Sequence, residues 1–414
     1  MIKKIINTSL FAIIALSATG TVENLMPTPK NVKVNNGVAF KTNRGVRLND
    51  TTNTPELLRF VSEANLVQDN SGDGVIMVKL CDVDGLYDYQ LKDYPAEGYR
   101  LTVTKDTILI EAPHQMGVTR AAQTLRQLAE GCNREIEGVE ITDWPAFKLR
   151  GFMHDVGRSF LPVDELKREI DLLSRFKVNT FHWHLTDNTG WRMEIKAYPQ
   201  LTGDKSIIRY QGEYYTQEDA RELQDYAAER GVTIIPEIDM PGHSGPFERA
   251  MGYSMQTEEG KNDLKIILRE VAEVFDKSPY IHIGGDEIGF NDDYLIEMID
   301  YVHSLGKRVV IWNRYNRPPK PVDPEIIPCD MTTNWATIGR LSPGVPNVDM
   351  RYNYTNHFDV FADVVGIYKS TIFGKTIGDE DVAGTISAAW NDTKVPSHND
   401  IVSQNNIYAN ILAS

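Results

Sequence analysis

The chain has 414 residues, 41% of them hydrophobic and 9% aromatic, so it is long enough to bury more than one sizeable core. A formal net charge of -15 and a pI near 5.1 exclude a protein that binds nucleic acid through a basic face. A neutral or cationic small substrate fits this charge better.

The first twenty residues, 1–20, predict a secretory signal peptide. Lys3 and Lys4 precede a short apolar run that ends in small residues, which places the predicted cleavage near Gly20. A membrane anchor is the alternative, but the run is shorter than the roughly 20 residues that a membrane span requires. We therefore expect an exported protein, periplasmic or extracellular, that contacts the membrane only during export.

The three cysteines indicate neither a disulfide framework nor a metal site. Cys81, Cys132 and Cys329 are odd in number and far apart along the chain. We interpret them as buried apolar residues.

Residues 21–142 predict a small α+β domain. Short segments of alternating polarity, GYRLTVT and TILIEA, meet around Lys105 and Asp106, and the following stretch MGVTRAAQTLRQLAEG has a helical pattern. The polar residues of this region form no recognisable constellation, so a structural role is favoured. Pro145, in ITDWPAFKLRG, marks the passage to the second region.

Residues 147–414 predict a (β/α)8 TIM barrel. Amphipathic segments separate eight apolar runs, which are KLRGFMHDV, VNTFHWHL, VTIIPEID, YIHIGGDE, RVVIW, EIIPCDM, NVDMRYNY and GTISAAWND. Thr216 and Asp219 resemble a helix-starting box, and Gly231 and Gly306 each end a helix just before a strand. A parallel barrel buries its strands on both faces, so they read as continuous apolar runs. The sixth and seventh units carry little helical sequence.

Polar and aromatic residues cluster where these predicted strands end. Catalytic residues of such barrels lie at the C-terminal ends of the strands. The residues found there are Asp155, Arg158, His182, His184, Asp187, Glu237, Asp239, His243, Asp286, Glu287, Trp312, Trp335, Tyr352, Trp390 and Asp392. Indole rings combined with carboxylate and guanidinium groups suit a sugar, which has flat apolar faces edged by hydroxyls. The alternative is that the three tryptophans belong to the core.

Asp286 and Glu287 stand side by side at the end of the fourth predicted strand, in IHIGGDE. Ordinary glycoside hydrolysis needs two carboxyl groups on opposite sides of the bond, which neighbours at one strand end cannot easily provide. We therefore expect one acid to donate a proton and the other to orient a group of the substrate. Repulsion between the two should raise the pKa of one and keep it protonated near neutral pH, as a general acid requires.

Long motifs of the chain resemble glycoside hydrolase family 20, the β-N-acetylhexosaminidases. They are HIGGDE, KLRGFMHDVGRSFLPVDELKREID, FHWHLTDNTGWRMEI, YYTQEDARELQDYAAERGVTIIPEIDMPGHS and AAWND. The resemblance covers almost everything after residue 24, including the small first domain. It implies an exo-acting, retaining enzyme that removes terminal β-linked N-acetylglucosamine or N-acetylgalactosamine from glycans. In such enzymes the 2-acetamido oxygen attacks C1 and forms an oxazolinium intermediate, and no cofactor or metal is needed.

The same resemblance implies a role for each residue of the predicted site. Glu287 is the acid/base, and Asp286 holds the acetamido N–H. Arg158 is implied to bind the hydroxyls at positions 3 and 4, and Asp392 to bind outer hydroxyls. The acetamido group is implied to lie in a pocket walled by Trp312, Trp335 and Trp390, with Tyr352 bonded to its oxygen. Asp187 and His243 are implied to support the acid.

Several residues depart from the family's pattern. Asn188 stands where a second aspartate is common, and Asn313 and Arg314 replace acidic residues after the strand 5 tryptophan. The stretch MRYNYTNHFD offers Tyr352 or Tyr354 for the tyrosine role and no acid at the expected spacing. Contacts to the outer hydroxyls are therefore the least defined part of the site.

Two other classes of protein remain open. A metal-dependent hydrolase could use His182 and His184, which project to one face of a strand. However, the pair lies on the second strand rather than the first. A catalytically impaired carbohydrate-binding homologue is the second, because the rim is altered and the chain stops at Ser414 inside the apolar segment IYANILAS, which we interpret as truncation. The intact acid pair favours an enzyme.

Overall fold

The computed structural model of the chain describes residues 21–86, 97–130, 132, 134–335, 341–351, 354 and 360–392. The predicted signal peptide, Tyr352 and the segment from residue 393 onward lie outside them. Backbone contacts divide the chain into two compact units, one ending at Pro145 and the other beginning at Ala146, with residues 174–177 and 229–231 grouped with the first. Within the described part, no helix is long and apolar enough to cross a membrane.

The first unit is a seven-stranded mixed sheet with two helices. Its strand order is β1-β7-β5-β6-β4-β2-β3. The elements are β1 (Asn31–Lys41), β2 (Gly45–Asn49), α1 (Pro55–Glu63), β3 (Val67–Gln68), β4 (Gly74–Leu80), β5 (Tyr99–Val103), β6 (Thr107–Ala112), α2 (Gln115–Ala129) and β7 (Glu135–Asp143). Strands β5 and β6 pair antiparallel, and their alternate residues Leu101, Val103, Ile108 and Ile110 are buried. The predicted α+β domain is confirmed.

The second unit is a closed barrel of eight parallel strands, which confirms the predicted (β/α)8 fold. Its strands are β8 (Leu149–Asp155), β9 (Thr180–His184), β12 (Thr233–Met240), β13 (Tyr280–Gly284), β14 (Arg308–Trp312), β15 (Met331–Asn334), β16 (Asn347–Asp349) and β17 (Val382–Ala389). Two short strands, β10 (Thr186–Asp187) and β11 (Gly190–Trp191), form a hairpin after β9. The helices are α3 (Val163–Arg175), α4 (Gln217–Ala228), α5 (Gly245–Met251), α6 (Glu258–Val274), α7 (Asp292–Ser304) and α8 (Val360–Lys369).

The predicted helix signals are present at α4. The Thr216 hydroxyl accepts a hydrogen bond from the Asp219 N–H at 3.0 Å, and the Asp219 carboxylate accepts one from the Thr216 N–H at 2.8 Å. This reciprocal pair satisfies two N–H groups that the first turn would otherwise leave unpaired. Gly231 and Gly306 adopt φ angles of 67° and 76°, the left-handed conformation that ends a helix.

The sixth strand lies elsewhere than the sequence predicted. The run EIIPCDM, residues 325–331, was expected to form it, but the strand is Met331–Asn334. Ile326 and Ile327 instead donate their N–H groups to the Asp323 carbonyl in a turn, at 3.0 and 2.8 Å. Pro328 has no N–H to give to a central ladder. The apolar run marks burial, since Ile327 and Cys329 are in the core, but not strand conformation.

Strand register brings the predicted site residues to one level at the barrel mouth. Glu237 of β12 pairs with His184 of β9 on one side and with His282 of β13 on the other, and His184 pairs with Asp155 of β8. Alternate residues of a strand share a face, so Asp239 lies above Glu237 on the same side. The carboxyl ends of these four strands therefore position the acidic and histidine side chains together.

Candidate active site

The acid pair follows β13 through an unusual backbone turn. Gly284 and Gly285 have φ angles of 71° and 104°, and Glu287 has a φ of 63°. A Cβ at Gly284 would lie 1.7 Å from Asp239 Oδ1. The two glycines thus allow the strand to end in a left-handed turn beside Asp239, and this turn presents two consecutive carboxylates to the barrel mouth.

Asp286 and Glu287 have different surroundings. Asp286 is 8% exposed, and among the described residues its Oδ1 has no hydrogen-bond partner. The Glu287 side chain is 48% exposed, and its Oε2 lies 3.2 Å from His243 Nε2. One acid is therefore buried with an oxygen free for a ligand, while the other is open to solvent and held by a histidine.

The pKa values of the two acids are shifted in opposite directions. Burial raises the pKa of Asp286 to about 6, whereas the hydrogen bond from His243 lowers the pKa of Glu287. The predicted repulsion does raise the pKa of one acid, but that acid is Asp286, where burial is the larger cause, and not Glu287, which the family resemblance implies as the acid. The reason is that a half-exposed carboxylate beside a cationic histidine has less cause to keep a proton than a buried one.

A chain of ionic contacts supports Glu287. Asp187 Oδ2 lies 2.9 Å from Arg158 Nη2, 3.1 Å from His184 Nε2 and 3.4 Å from His243 Nδ1. Burial lowers the pKa of His243, but the hydrogen bonds to Asp187 and Glu287 outweigh it and raise that pKa to about 12. Burial likewise raises the pKa of Asp187, and the two histidines bring it below its usual range. His243 is thus a cation between two carboxylates.

Arg158 joins three carboxylates. Besides Asp187, it contacts Asp155 Oδ2 through Nη1 at 2.9 Å and Asp392 Oδ1 through Nε at 3.6 Å. Asp392 lies at the solvent edge, with its side chain 60% exposed. The Arg158 guanidinium also lies 5.3 Å from the centre of the Trp390 ring. Arg158 therefore connects the buried part of the site to its rim.

Aromatic rings line the other side of the mouth. The rings of Trp312 and Trp390 lie 5.9 Å apart, and Trp390 meets Tyr354 edge-on at 6.2 Å. The Tyr354 hydroxyl donates to the Trp335 carbonyl at 2.9 Å. Within the described part of the chain, the buried Trp335 Nε1 has no hydrogen-bond partner. Trp312 and Trp390 therefore pack together, and Tyr354 links Trp390 to the backbone of Trp335.

Tyr354 is the tyrosine that the structure places in this aromatic group. Burial raises the pKa of its hydroxyl, and the charges of Asp286 and Glu287 act in the same direction. Tyr352, the other candidate for the tyrosine role, lies outside the described residues.

Sequence reasoning did not assign a role to two buried acids of β12. Asp239 is 1% exposed, and neither of its carboxylate oxygens has a hydrogen-bond partner among the described residues. Burial and the neighbouring Asp286 raise its pKa well above the usual range. Glu237 is completely buried and contacts three histidines. The signal available in the sequence was the spacing in PEIDM, which directs both acids to one face of a buried strand.

Histidines and acids at the mouth also form groups that could hold a metal ion. The potential ligand atoms of each group lie within 4.8 Å of one another, and the groups are His182–Glu237–His282, Asp155–His184–Asp187, His184–Glu237–Asp239 and Asp239–His243–Asp286. His182 and His184 both meet Glu237 Oε2, at 2.8 and 2.5 Å. The predicted H-x-H pair thus converges on a carboxylate, and the metal alternative is one that chelation can test.

Both units of the chain match models of the same family. The family described as glycosyl hydrolase family 20, catalytic domain, matches residues 147–266, and the one described as glycosyl hydrolase family 20, domain 2, matches residues 22–144. The chain belongs to glycosyl hydrolase family 20. The acid pair and the last five barrel strands follow the matched part of the catalytic domain.

Curated relatives carry related names. The chain is 40% identical over 276 residues to a beta-hexosaminidase of Vibrio furnissii, a match that covers 52% of this chain and 45% of the relative. It is 29% identical over 353 residues to a beta-N-acetylhexosaminidase of Cellulomonas fimi, covering 73% of this chain and 71% of the relative. The chain thus spans less than half of the Vibrio furnissii protein.

Solved structures share the fold. The beta-N-acetylhexosaminidase of Bacteroides fragilis superposes with a TM-score of 0.75 at 25% identity, covering 94% of this chain and 90% of that one. The exo beta-N-acetylglucosaminidase of Vibrio harveyi in complex with N-acetylglucosamine gives a TM-score of 0.75 at 24% identity, covering 96% and 74%.

Proposed function

We propose that the protein is an exo-acting, retaining β-N-acetylhexosaminidase that removes terminal β-linked N-acetylglucosamine or N-acetylgalactosamine from glycans. The observation that carries the proposal is the unequal acid pair, with Asp286 buried and offering a free oxygen while its neighbour Glu287 stays accessible. Two adjacent carboxylates cannot flank a glycosidic bond as a nucleophile and an acid normally do. A nucleophile carried by the substrate removes that difficulty.

In the first step the acetamido oxygen forms a bond to C1 while the bond from C1 to the glycosidic oxygen breaks. Glu287 gives its proton to the departing oxygen. Asp286 accepts a hydrogen bond from the acetamido N–H and stabilises the positive charge that spreads over the oxazolinium ring. The acetamido group lies between the indoles of Trp312, Trp335 and Trp390.

In the second step water attacks C1, and the bond from C1 to the former acetamido oxygen of the oxazolinium breaks, which restores the 2-acetamido group. Glu287, now a carboxylate, takes the proton from that water. Two displacements at C1 retain the anomeric configuration. The bound sugar also displaces water from Glu287, and this desolvation raises its pKa toward that of a general acid. His243 and Asp187 keep the carboxyl in place and exchange the proton with it.

Purified protein assayed with nitrophenyl glycosides tests the proposal. We expect hydrolysis of the β-linked 2-acetamido gluco or galacto compound, and the ratio of the two rates would give the preference for one epimer. Binding of N-acetylglucosamine without turnover of either glycoside would favour the carbohydrate-binding alternative.

The same assay after exhaustive dialysis against EDTA is the control for metal dependence. Activity should persist, because Glu287 and the substrate's own oxygen supply the chemistry in this proposal. Loss with EDTA and recovery with zinc would favour a metal-dependent hydrolase.

A further inference from the structure

Glu237 is the centre of a buried polar cluster beneath the proposed pocket. Its Oε2 accepts hydrogen bonds from His182 Nε2 at 2.8 Å and His184 Nδ1 at 2.5 Å, and its Oε1 accepts one from Trp312 Nε1 at 2.9 Å. His282 Nδ1 lies 3.1 Å from Oε1. Because the buried Glu237 carboxylate contacts nitrogens of three histidine rings and one indole, it fixes the orientation of these rings.

One contact of this cluster leads to the proposed acid. His184 meets Glu237 through Nδ1 and Asp187 through Nε2, at 2.5 and 3.1 Å. Asp187 in turn contacts His243, which holds Glu287. The imidazole of His184 therefore connects the buried carboxylate to the ion chain that supports the proposed proton donor.

Another contact leads to the proposed acetamido pocket. The Trp312 indole N–H ends on Glu237, so the carboxylate fixes the rotation of that ring. Trp312 packs against Trp390 at 5.9 Å and against His282 at 4.7 Å. Moving the indole would change the wall that faces the acetamido group.

We propose that Glu237 is a positioning residue of this site, acting through His184 on the proton donor and through Trp312 on the acetamido pocket. This inference rests on the proposed function. A merely structural carboxylate would contribute to folding but would leave the pH dependence and the turnover of the folded enzyme unchanged.

The chain offers a matched control in a second buried carboxylate–histidine pair. Glu169 of α3 contacts His154 Nδ1 with both oxygens at 3.0 Å, and both side chains are buried. This pair lies between helix and strand, outside the proposed site. Glu169→Gln therefore removes a buried charge from a histidine without touching Asp187, Trp312 or Glu287.

The pH dependence has a defined sign. Burial lowers the pKa of His184, but the charge of Glu237 and the hydrogen bond to Asp187 outweigh it and raise that pKa well above its usual value. The groups whose charges act with His184 are Glu237 and Asp239 from β12, Asp187 from β10, Asp155 from β8, Asp286 after β13 and His182 from β9. Without the Glu237 charge, His184 should lose its proton at lower pH. The shift should be partial, because the remaining acids still favour the protonated form of His184.

Glu237→Gln and Glu169→Gln are compared with the wild type for kcat, KM and pH profile on a 2-acetamido nitrophenyl glycoside, after thermal unfolding shows that both variants fold. We expect Glu237→Gln to lose about 10- to 100-fold in kcat/KM, the size of effect that a small misplacement of reacting groups produces. The alkaline limb of its profile should move to lower pH. Glu169→Gln should keep the wild-type profile and kcat. Equal behaviour of the two variants would overturn the inference.

Two further variants keep the test decisive. Glu237→Gln combined with Asp187→Asn should lose less than the product of the single losses, because both act on His184. If Glu237→Gln does not fold, the same measurements are made with His184→Gln, in which Glu237 keeps its contacts to His182, His282 and Trp312. An unchanged pH profile of that variant would also contradict the inference. A wild type that fails to hydrolyse any 2-acetamido glycoside overturns the proposed function itself, before any variant is compared.

Discussion

Glu287→Gln is expected to lower turnover of a natural glycan by roughly 10²- to 10⁴-fold, the range that general acid catalysis supplies. Glutamine keeps the shape of the side chain and a contact to His243, but it has no proton to give to the leaving oxygen. A sugar leaving group needs that proton, whereas nitrophenolate leaves more readily without it. The loss should therefore be larger on a chitobiose-type disaccharide than on the nitrophenyl glycoside.

The measurement is kcat for both substrates with wild type and variant, with Glu169→Gln as a buried-carboxylate control outside the site. Near-normal hydrolysis of the disaccharide by Glu287→Gln would remove Glu287 from the role of acid. An equal loss on both substrates would indicate that the side chain acts by position and not by proton transfer.

Asp286→Asn is expected to reduce kcat on the 2-acetamido substrate by roughly 10²- to 10³-fold, as loss of one group that stabilises transition-state charge does. In the proposed mechanism, the charge that Asp286 stabilises develops only as the acetamido oxygen attacks C1. Such an interaction is expressed in kcat and hardly in KM. A variant with raised KM and unchanged kcat would show that Asp286 only binds the ground state.

The pH profile of Asp286→Asn provides a second test of the role of Asp286. Burial raises the pKa of Asp286 to about 6, so in the free wild-type enzyme this carboxylate takes up a proton as the pH falls through that value. Protonated Asp286 cannot stabilise an adjacent cation, and kcat/KM should decrease below about pH 6. This acid limb should be absent from Asp286→Asn.

Much of the fold was accessible from the sequence, because a parallel barrel buries its strands completely. Strands such as Thr233–Met240 and Val382–Ala389 are almost completely buried and are largely apolar in sequence. The helix boundaries at Thr216 and Gly231 carry chemical signals of their own. The sixth strand was misplaced, because burial and strand conformation coincide elsewhere but not at residues 325–331. Met331–Asn334 is short and half polar, so its pattern gives no strand signal.

The sequence predicted which residues form the site, but not how deeply each is buried or how its neighbours shift its pKa. The ends of strands converge in any barrel, which is why Arg158, Asp187 and His243 could be expected near Glu287. Which acid of the pair is buried depends on the left-handed turn after Gly285, and this decides the direction of both pKa shifts. The position of Glu237 depends on strand register, which a single sequence does not encode in any local pattern.

The proposed mechanism requires that the substrate carries the nucleophile. Two nitrophenyl β-glycosides that differ only at position 2 can test this requirement. A tethered, well-oriented nucleophile is worth up to about 7 to 11 kcal/mol, and the adjacent carboxylates Asp286 and Glu287 cannot easily replace it. The measurement is kcat/KM of the wild-type protein for the 2-acetamido and the 2-hydroxy compound. We expect the 2-hydroxy glycoside to react orders of magnitude more slowly. Comparable values, or a covalent glycosyl adduct on any carboxylate of the protein detected by mass spectrometry, would contradict it.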